Sequence, residues 1–261
     1  MIVGKAAAKN DADILILSAG FGSRLGDLTK DRPKPLVPVA GVPVIDYSLK
    51  MVAREGFREV FVNLHYHAQQ IRDYIGDGGR YGLRVNFVEE PIILGTGGAM
   101  RNIEEQLKHQ TLLTLNSDLV LGCDFSLRRI LETHERTVPI PLATLTLRHD
   151  REAERYGAIG IDDSGRVTTF LGQKYFDVSI RDTLMYLGVQ AVSRELFRYM
   201  PSSGSVFSIT RDVYPKLLAD GGYLSSFIFD GYWADVGTSI ASLERASKEV
   251  ANGALQGKKS G

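Results

Sequence analysis

The stretch LSAGFGSRLGDLTKDRPKPLVPVAG, residues 17–41, leads from an apolar run into a glycine-containing loop rich in cations. Gly20 and Gly22 carry no Cβ, so backbone N–H groups at these positions can approach an anion closely. A plain structural turn is the alternative for two glycines. The loop also holds four positive charges in a protein without net charge: Arg24, Lys30, Arg32 and Lys34. The combination favours a phosphate site over a solvated cluster of charges.

A dinucleotide-binding fold is the rival interpretation of a glycine loop that follows the first strand. It requires a helix directly after the glycines and an acidic residue about 20 residues further on. Arg32-Pro33-Lys34-Pro35 stands in the way of that helix. The two prolines around Lys34 restrict the backbone, which suits a lysine presented rigidly to a phosphate, and hydride transfer is therefore disfavoured.

A carboxylate and a pair of histidines are the remaining candidates for chemistry. Asp118 ends the apolar run TLLTLNSD, and open α/β sheets bind ligands beyond the carboxyl ends of their strands. Position alone is equally compatible with an aspartate that caps a helix. His65 and His67 could face one side of a strand as metal ligands, but no third ligand is spaced nearby, so a place at the surface end of a strand is favoured.

The elements that must position these residues alternate between strand and helix in the first half of the chain. Apolar runs predict strands at DILILSAG, EVFVNL and TLLTLNSD, apolar positions 45, 49 and 52 predict a helix, and GTGGAM predicts a glycine loop that opens another. The second half predicts further strands and a hairpin turned at 163–165. We expect a single α/β domain over residues 1–250, with a Rossmann-like mixed, mainly parallel sheet flanked by helices, followed by a flexible tail at 251–261.

Composition limits the classes of partner and the compartment. The 261 residues include 31 basic and 31 acidic ones, and this balance argues against general affinity for nucleic acid or membranes. The single cysteine, Cys123, excludes an internal disulfide and a cysteine-rich metal site. No apolar run has the length of a membrane span or of a signal-peptide core, so we expect a cytoplasmic protein.

Several motifs together resemble those of the sugar-1-phosphate nucleotidylyltransferases, the enzymes that make nucleotide sugars. They are LSAGFGSRL with RPKPLVPVAGVP, then GTGGAM, LNSDLV, YGAIGID and GYWADVGT, in this order along residues 14–238. The resemblance implies that residues 11–120 bind the nucleoside triphosphate and residues 121–238 the sugar 1-phosphate. It also implies a reaction that gives a nucleotide sugar and pyrophosphate without a covalent nucleophile, with Mg²⁺ as cofactor.

The resemblance assigns roles to individual residues. Arg24, Lys34 and Asp118 would be catalytic, and Asp118 and Asp235 would hold Mg²⁺, which takes one or two carboxylates together with substrate phosphates. The nucleotide would contact Ala19, Gly20, Gly22, Ser23, Arg24, Lys34, Gly95, Thr96, Gly97 and Gly98. The sugar phosphate would contact Asn116, Gly157, Gln173 and Lys174.

The segment FLGQKYF departs from the family pattern, in which Glu-Lys-Pro follows the hairpin. Lys174 still supplies a cation, whereas Gln173 replaces a carboxylate by an amide. The motifs are most similar to those of the mannose-1-phosphate guanylyltransferases, and GDGGRYGLRV is also similar to the N-acetylmuramate-1-phosphate uridylyltransferases. A hexose or heptose 1-phosphate uridylyl- or guanylyltransferase, and a catalytically silent regulatory subunit that binds nucleotide sugar, stay open, as does a homodimer.

Overall fold

The computed structural model describes residues 11–256, apart from the side chains of residues 155 and 156. Fourteen strands are found in this part of the chain. They are β1 (Asp13–Leu17), β2 (Pro38–Val39), β3 (Val42–Pro43), β4 (Glu59–Leu64), β5 (Arg84–Glu89), β6 (Thr111–Asn116), β7 (Leu119–Leu121), β8 (Ala143–Arg148), β9 (Ile159–Ile161), β10 (Val167–Phe170), β11 (Gln173–Lys174), β12 (Asp182–Ser193), β13 (Leu224–Ile228) and β14 (Trp233–Asp235).

Seven α-helices accompany these strands within the described residues. They are α1 (Val44–Arg54), α2 (Ala68–Ile75), α3 (Gly95–Asn102), α4 (Leu127–Arg136), α5 (Ala153–Tyr156), α6 (Tyr214–Ala219) and α7 (Ile240–Ala251). Short 3-10 helices fill several connections, among them Ser23–Thr29 and Lys34–Leu36. No helix in the described part of the chain is both long enough and apolar enough to cross a bilayer.

The main sheet has the order β11-β10-β9-β12-β6-β1-β4-β5, with β8 beside β12 and β13 beside β8. The first-half strands β6, β1, β4 and β5 are parallel neighbours. The long strand β12 runs antiparallel to β6 and carries the sheet into the second half of the chain. The predicted Rossmann-like mixed sheet flanked by helices is confirmed.

Both faces of the sheet are buried because helices cover each of them. Ile14 and Ile16 of β1 pack with α1, α2 and α4 on one face, whereas Leu15 between them packs with α3 and α6 on the other. This alternation is the period of two expected of a strand. A parallel strand buried on both faces reads as the continuous apolar run DILIL, which is why the sequence predicts it well.

A second, two-stranded sheet pairs β7 with β14 in antiparallel fashion. Its apolar side chains Val120 and Ala234 join a small core with Leu25 of the glycine-loop region, Val44 of α1 and Leu243 of α7. This core fixes the glycine loop, the residues around position 118 and those around position 235 against one another.

Two local expectations need correction. Strand β6 ends at Asn116, so Asp118 lies in the turn between β6 and β7 rather than at the strand end. Helix α3 begins at Gly95, so the glycines of GTGGAM form its first turn and are not a loop before it. Of the predicted tail, residues 257–261 lie outside the described residues, and the carbonyl of Leu255 accepts a hydrogen bond from the Cys123 N–H at 2.7 Å.

Candidate functional site

A cleft of about 230 Å³ lies at the carboxyl ends of the parallel strands β1, β4 and β6, the edge at which such sheets bind ligands. Nine residues named from the sequence line it: Ala19, Gly20, Arg24, Lys34, Gly95, Thr96, Asn116, Asp118 and Asp235. Four further lining residues were not foreseen: Leu17, Asn63, Glu90 and Ile93. The cleft therefore joins parts of the chain that are far apart in sequence.

The glycine loop is shaped by the segment that follows it. No atom would lie within 4 Å of a Cβ on Gly20, so this backbone stays open toward the cleft. Gly22 has φ +68°, and a Cβ there would stand 2.9 Å from Cβ of Lys34. Thr29 donates its hydroxyl to the carbonyl of Gly22 at 3.0 Å and holds the loop closed. Gly22 is thus needed for close packing against the Lys34 segment, next to Ser23 at the start of a 3-10 helix.

Lys34 is held toward the cleft by its proline neighbours. Pro33 is extended, Pro35 is buried, and Lys34 begins a single 3-10 turn between them. The Lys34 ammonium forms an ion pair with Oδ2 of Asp118 at 2.5 Å, and the exposed fractions of the two side chains are only 15% and 7%. A charge shielded in this way would attract a phosphate that takes the place of Asp118, since little solvent competes for it.

Asp118 and Asp235 are brought together by the β7–β14 pair. Asp235 stands opposite Leu119 in the register, and the N–H of Val236 donates to the carbonyl of Asp118 at 3.1 Å. Burial, the main cause, and the nearby negative charge of Asp118, the second, together raise the pKa of Asp235 to about 6. Hydrogen bonding from the N–H of Gly237 and the charges of Lys34 and Arg24 oppose this rise in pKa.

Gly237 is a residue of the site that the sequence interpretation missed. A Cβ at this position would collide with the carboxylate of Asp118 and lie 3.1 Å from the ammonium of Lys34. Its N–H also donates to Oδ1 of Asp235 at 2.8 Å. The glycine directly follows ADV in the motif GYWADVGT, and this adjacency to Asp235 was the signal available in the sequence.

A buried polar network also contributes to the wall of the cleft. The amide oxygen of Asn63 accepts from the N–H of Ser18 at 2.6 Å, and its amide nitrogen donates to Glu90 at 2.7 Å. The second oxygen of Glu90 accepts from the N–H of Leu94 at 3.0 Å. Glu90 is 1% exposed, so its charge is held by these donors. Asn63 could have been found from the sequence, because EVFVNL places it near the carboxyl end of a parallel strand.

The glycines of helix α3 divide into two groups. Gly95 and Thr96 line the cleft. Gly97 and Gly98 instead donate their N–H groups to the carbonyl of Phe207 at 3.1 and 3.3 Å. A Cβ on Gly97 would also overlap the ring of Phe207. The structure therefore explains these two glycines by close packing of α3, and does not place them at the cleft surface.

The predicted sugar-phosphate residues are not all brought to the cleft. Asn116 lines it and lies against Gly188, whose φ of +80° and missing Cβ leave room for the Asn116 amide. Gln173 and Lys174 form the edge strand β11, and the Lys174 ammonium pairs with Asp177 at 2.8 Å. Gly157 follows α5 with φ +91° and is not among the residues that line the cleft.

The donor set suits a magnesium ion bound together with phosphates. The negative charge of Asp118 is close enough to raise the pKa of Asp235, and a divalent cation held by the two carboxylates would relieve that repulsion. Among residues 11–256 there is no group of three or more His, Cys, Asp or Glu side chains that could hold a metal by itself. The geometry fits a site that is completed by substrate oxygens.

A Rossmann-like sheet with a glycine loop, two cations and paired carboxylates at its carboxyl edge defines an α/β protein suited to bind phosphates. Comparison with known proteins agrees with this class. The family described as Nucleotidyl transferase matches residues 14–253, which is nearly the whole chain. The chain belongs to the nucleotidyl transferase family.

Its relatives act on several sugar phosphates. The chain is 31% identical to the mannose-1-phosphate guanylyltransferase of Mycobacterium tuberculosis, over 88% of this chain and 62% of that protein. It is 27% identical to the UTP–glucose-1-phosphate uridylyltransferase of Synechocystis, over 85% and 59%. It thus spans about three fifths of the length of these two relatives. It is 26% identical to the D-glycero-alpha-D-manno-heptose 1-phosphate guanylyltransferase of Campylobacter jejuni, over 85% and 93%.

Solved structures share the fold. HddC from Yersinia pseudotuberculosis superposes with a TM-score of 0.74 at 22% identity, over 92% of this chain and all of that one. A putative glucose-1-phosphate thymidylyltransferase from Bacillus anthracis superposes with a TM-score of 0.76 at 20% identity, over 91% and 94%. These two likenesses concern the fold alone.

Proposed function

We propose that this protein is a sugar-1-phosphate nucleotidylyltransferase, which converts a nucleoside triphosphate and a sugar 1-phosphate into a nucleotide sugar and pyrophosphate. The observation that carries the proposal is the convergence of Lys34, Asp118 and Asp235 in one cleft beside the open glycine backbone. A silent nucleotide-sugar-binding subunit would have no need of a largely shielded lysine paired with one of two neighbouring carboxylates.

In the proposed reaction a phosphate oxygen of the sugar phosphate forms a bond to the α-phosphorus of the triphosphate. The bond between the α-phosphorus and the bridging oxygen to the β-phosphate breaks, and pyrophosphate leaves with that electron pair. Two anions meet in this step, so positioning and charge neutralisation are the main tasks of the protein. Lys34 stabilises charge at the α-phosphate, Arg24 that on the departing pyrophosphate, and the backbone at Gly20 contacts the triphosphate.

Magnesium is the proposed cofactor, held by Asp118 and Asp235. When bound, it supplies positive charge to the oxygens of both phosphate groups. Lys34 pairs with Asp118 in this structure and would exchange that ion pair for contacts to the substrate when the carboxylate of Asp118 holds the metal. The assignments of Gln173, Lys174 and Gly157 to the sugar phosphate stay predictions, and Lys174 would have to leave Asp177 to fulfil its role.

For the base we propose guanine, because of the buried carboxylate of Glu90. Guanine presents two adjacent donors, N1–H and the N2 amino group, which a carboxylate can accept together. Uracil offers a single N–H on its pairing edge, so it would engage only one of the two carboxylate oxygens. Glu90 is already oriented by Asn63 and Leu94, and a fixed acceptor discriminates better than a mobile one.

For the sugar we propose mannose 1-phosphate, in line with the mannose-1-phosphate guanylyltransferase relative. A manno-heptose 1-phosphate is the second candidate, because the chain covers 93% of the heptose 1-phosphate guanylyltransferase relative. An N-acetylmuramate 1-phosphate is the third, from the motif GDGGRYGLRV. A homodimer in the cytoplasm is proposed for the enzyme.

The test of the reaction is pyrophosphate release with Mg²⁺ from GTP, UTP, dTTP, CTP and ATP, each paired with mannose, glucose, heptose and N-acetylmuramic acid 1-phosphates. One strongly preferred pair is expected. Asp118→Ala should lower turnover at saturating Mg²⁺ by about 10²–10³, whereas Asp220→Asn, an exposed change at the end of α6, should have no effect. Nucleotide binding without pyrophosphate from any pair would support a regulatory subunit and contradict the proposal.

The base assignment is tested with Glu90→Gln and its exposed neighbour Glu89→Gln as the matched control. Gln presents one acceptor and one donor, so we expect kcat/KM for GTP to fall by roughly 10–10² while that for UTP changes little. Glu89→Gln should keep the wild-type preference. Equal losses for all nucleotides with an unchanged Tm would show that Glu90 does not read the base.

A further inference from the structure

The segment between β4 and α2, together with the first turn of α2, carries side chains that the cleft itself does not use. Four of them, His65, Tyr66, His67 and Gln70, are here called the loop clamp. The two histidines are not ligands of a metal cluster among the described residues. A ring nitrogen of each faces a backbone carbonyl instead: Nδ1 of His65 lies 2.7 Å from the carbonyl of Glu90, and Nε2 of His67 lies 3.1 Å from that of Lys30.

Three hydrogen bonds join the clamp to Lys30 and Asp31, at the end of the loop that begins with Phe21. The Tyr66 hydroxyl donates to the carbonyl of Lys30 at 3.0 Å, and His67 Nε2 donates to the same carbonyl. The Gln70 amide donates to the carbonyl of Asp31 at 3.1 Å. A carbonyl oxygen can only accept, so His67 must carry its proton on Nε2.

The clamp also contacts the beginning of the loop, where the ring of Phe21 packs against two of its rings. This ring lies 5.6 Å from the ring of His65 and 5.6 Å from that of Tyr66, both in edge-on geometry. Phe21 stands between Gly20 and Gly22 and is 52% exposed, so burial in the core does not explain its place. Aromatic pairs of this geometry are attractive beyond simple area burial.

The backbone of the clamp is itself specialised. His67 has φ +51°, in the left-handed region that only a few per cent of non-glycine residues adopt, and it is the residue that precedes α2. This conformation lets one residue begin the helix while its ring reaches Lys30. Backbone conformations of this kind persist where surrounding contacts stabilise them. The hydrogen bond from His67 to Lys30 is such a contact.

We infer that the loop clamp is a positioning element for triphosphate binding, an inference that rests on the proposed function. It holds the loop from Phe21 to Asp31 at both ends, so Arg24 and the backbone at Gly20 are fixed before the nucleotide arrives. Binding then costs less ordering of the chain. Removing the clamp should weaken nucleotide binding and change turnover at saturation less.

Trypsin measures the clamp without any activity assay. Within the loop it can cut after Arg24 and Lys30, whereas Arg32 and Lys34 each precede a proline and are spared. We expect the combined variant Tyr66→Phe with His67→Ala to be cut at these two sites at least tenfold faster than the wild type. Tyr199→Phe with His109→Ala, both outside the loop clamp, is the matched control and should be cut at the wild-type rate.

Calorimetry with Mg²⁺ and either GTP or UTP then tests the link to the nucleotide. We expect the dissociation constant to rise about tenfold in the clamp variant, with KM raised similarly and kcat within about threefold. Unchanged proteolysis, or faster proteolysis with unchanged nucleotide affinity, overturns the inference. Wild-type protein that binds neither nucleotide overturns the proposed function and the role in positioning, while the trypsin result still shows whether the clamp holds the loop.

Discussion

Replacing Asp235 by Asn should stabilise the metal-free protein while it lowers activity. Burial and the charge of Asp118 raise the pKa of Asp235 to about 6, so ionising this side chain costs free energy in the fold. An amide of the same shape avoids that cost. Its oxygen can still accept the hydrogen bond from the N–H of Gly237, which stands at 2.8 Å from the carboxylate.

The size and sign of the effect follow from linkage. A carboxyl group whose pKa is raised in the fold binds more protons folded than unfolded, so its contribution to stability falls as pH rises from about 4 through about 6. The pKa of Asp235 rises from its usual value of 3.8 to about 6 in the fold. At pH 8, where the side chain is ionised, this rise lowers the free energy of unfolding by about 3 kcal/mol. The Asp235→Asn variant should therefore match the wild type near pH 4 and exceed it in stability by up to this amount at pH 8.

The assay is urea unfolding of both proteins at pH 4.5 and 8, with EDTA and then with Mg²⁺. At about 2–4 °C per kcal/mol for a chain of this size, the difference in Tm is also easily measured. Mg²⁺ should stabilise the wild type more than the variant, because a ligand that binds the folded state adds to its stability. An Asn variant no more stable than the wild type at pH 8 in EDTA would refute the argument from burial.

Two further substitutions are informative. Gly237→Ala should lower turnover by roughly 10²-fold or more, because a Cβ would displace the Asp118 carboxylate; a folded, fully active variant would contradict the geometry. Burial lowers the pKa of His134 to about 4, and its ring nitrogens lie 2.9 Å from Thr144 and Ser193. The free energy of unfolding should thus drop as pH falls from about 6.5 toward 4, and in the urea unfolding of His134→Gln this drop should be smaller by up to about 3 kcal/mol.

The parallel half of the fold could be predicted from the sequence because each of its strands is buried on both faces. DILIL and TLLTLN are uniform apolar runs, and the glycines and prolines between such runs mark their limits. The helix α3 was harder, since glycine is a poor helix former. The helix needs glycine at these positions because Phe207 and Ser205, far along the chain, come too close for a Cβ.

Within the candidate site, the residues with unusual chemistry could be named in advance and their supporting neighbours could not. The sequence pattern alone singles out Lys34, which stands between two prolines, and Asp118, which follows an apolar run. Asn63 and Glu90 are ordinary polar residues in the sequence, and they reach the cleft only because the sheet places β4 beside β1 and β5 beside β4. The motif position of Lys174 did not reveal its pairing with Asp177, and its role toward the sugar phosphate stays a prediction.

The pairing of β7 with β14 has a consequence for how the protein is made. Asp118 leaves the ribosome well before Asp235. Until β14 pairs with β7, the carboxylate of Asp118 does not have that of Asp235 beside it. The parallel strands of the first half can assemble earlier, but their cleft then lacks its second carboxylate. A nascent or truncated chain that ends before Trp233 would therefore be expected to lack the paired carboxylate site, so the capacity for chemistry would arise only with the last strand.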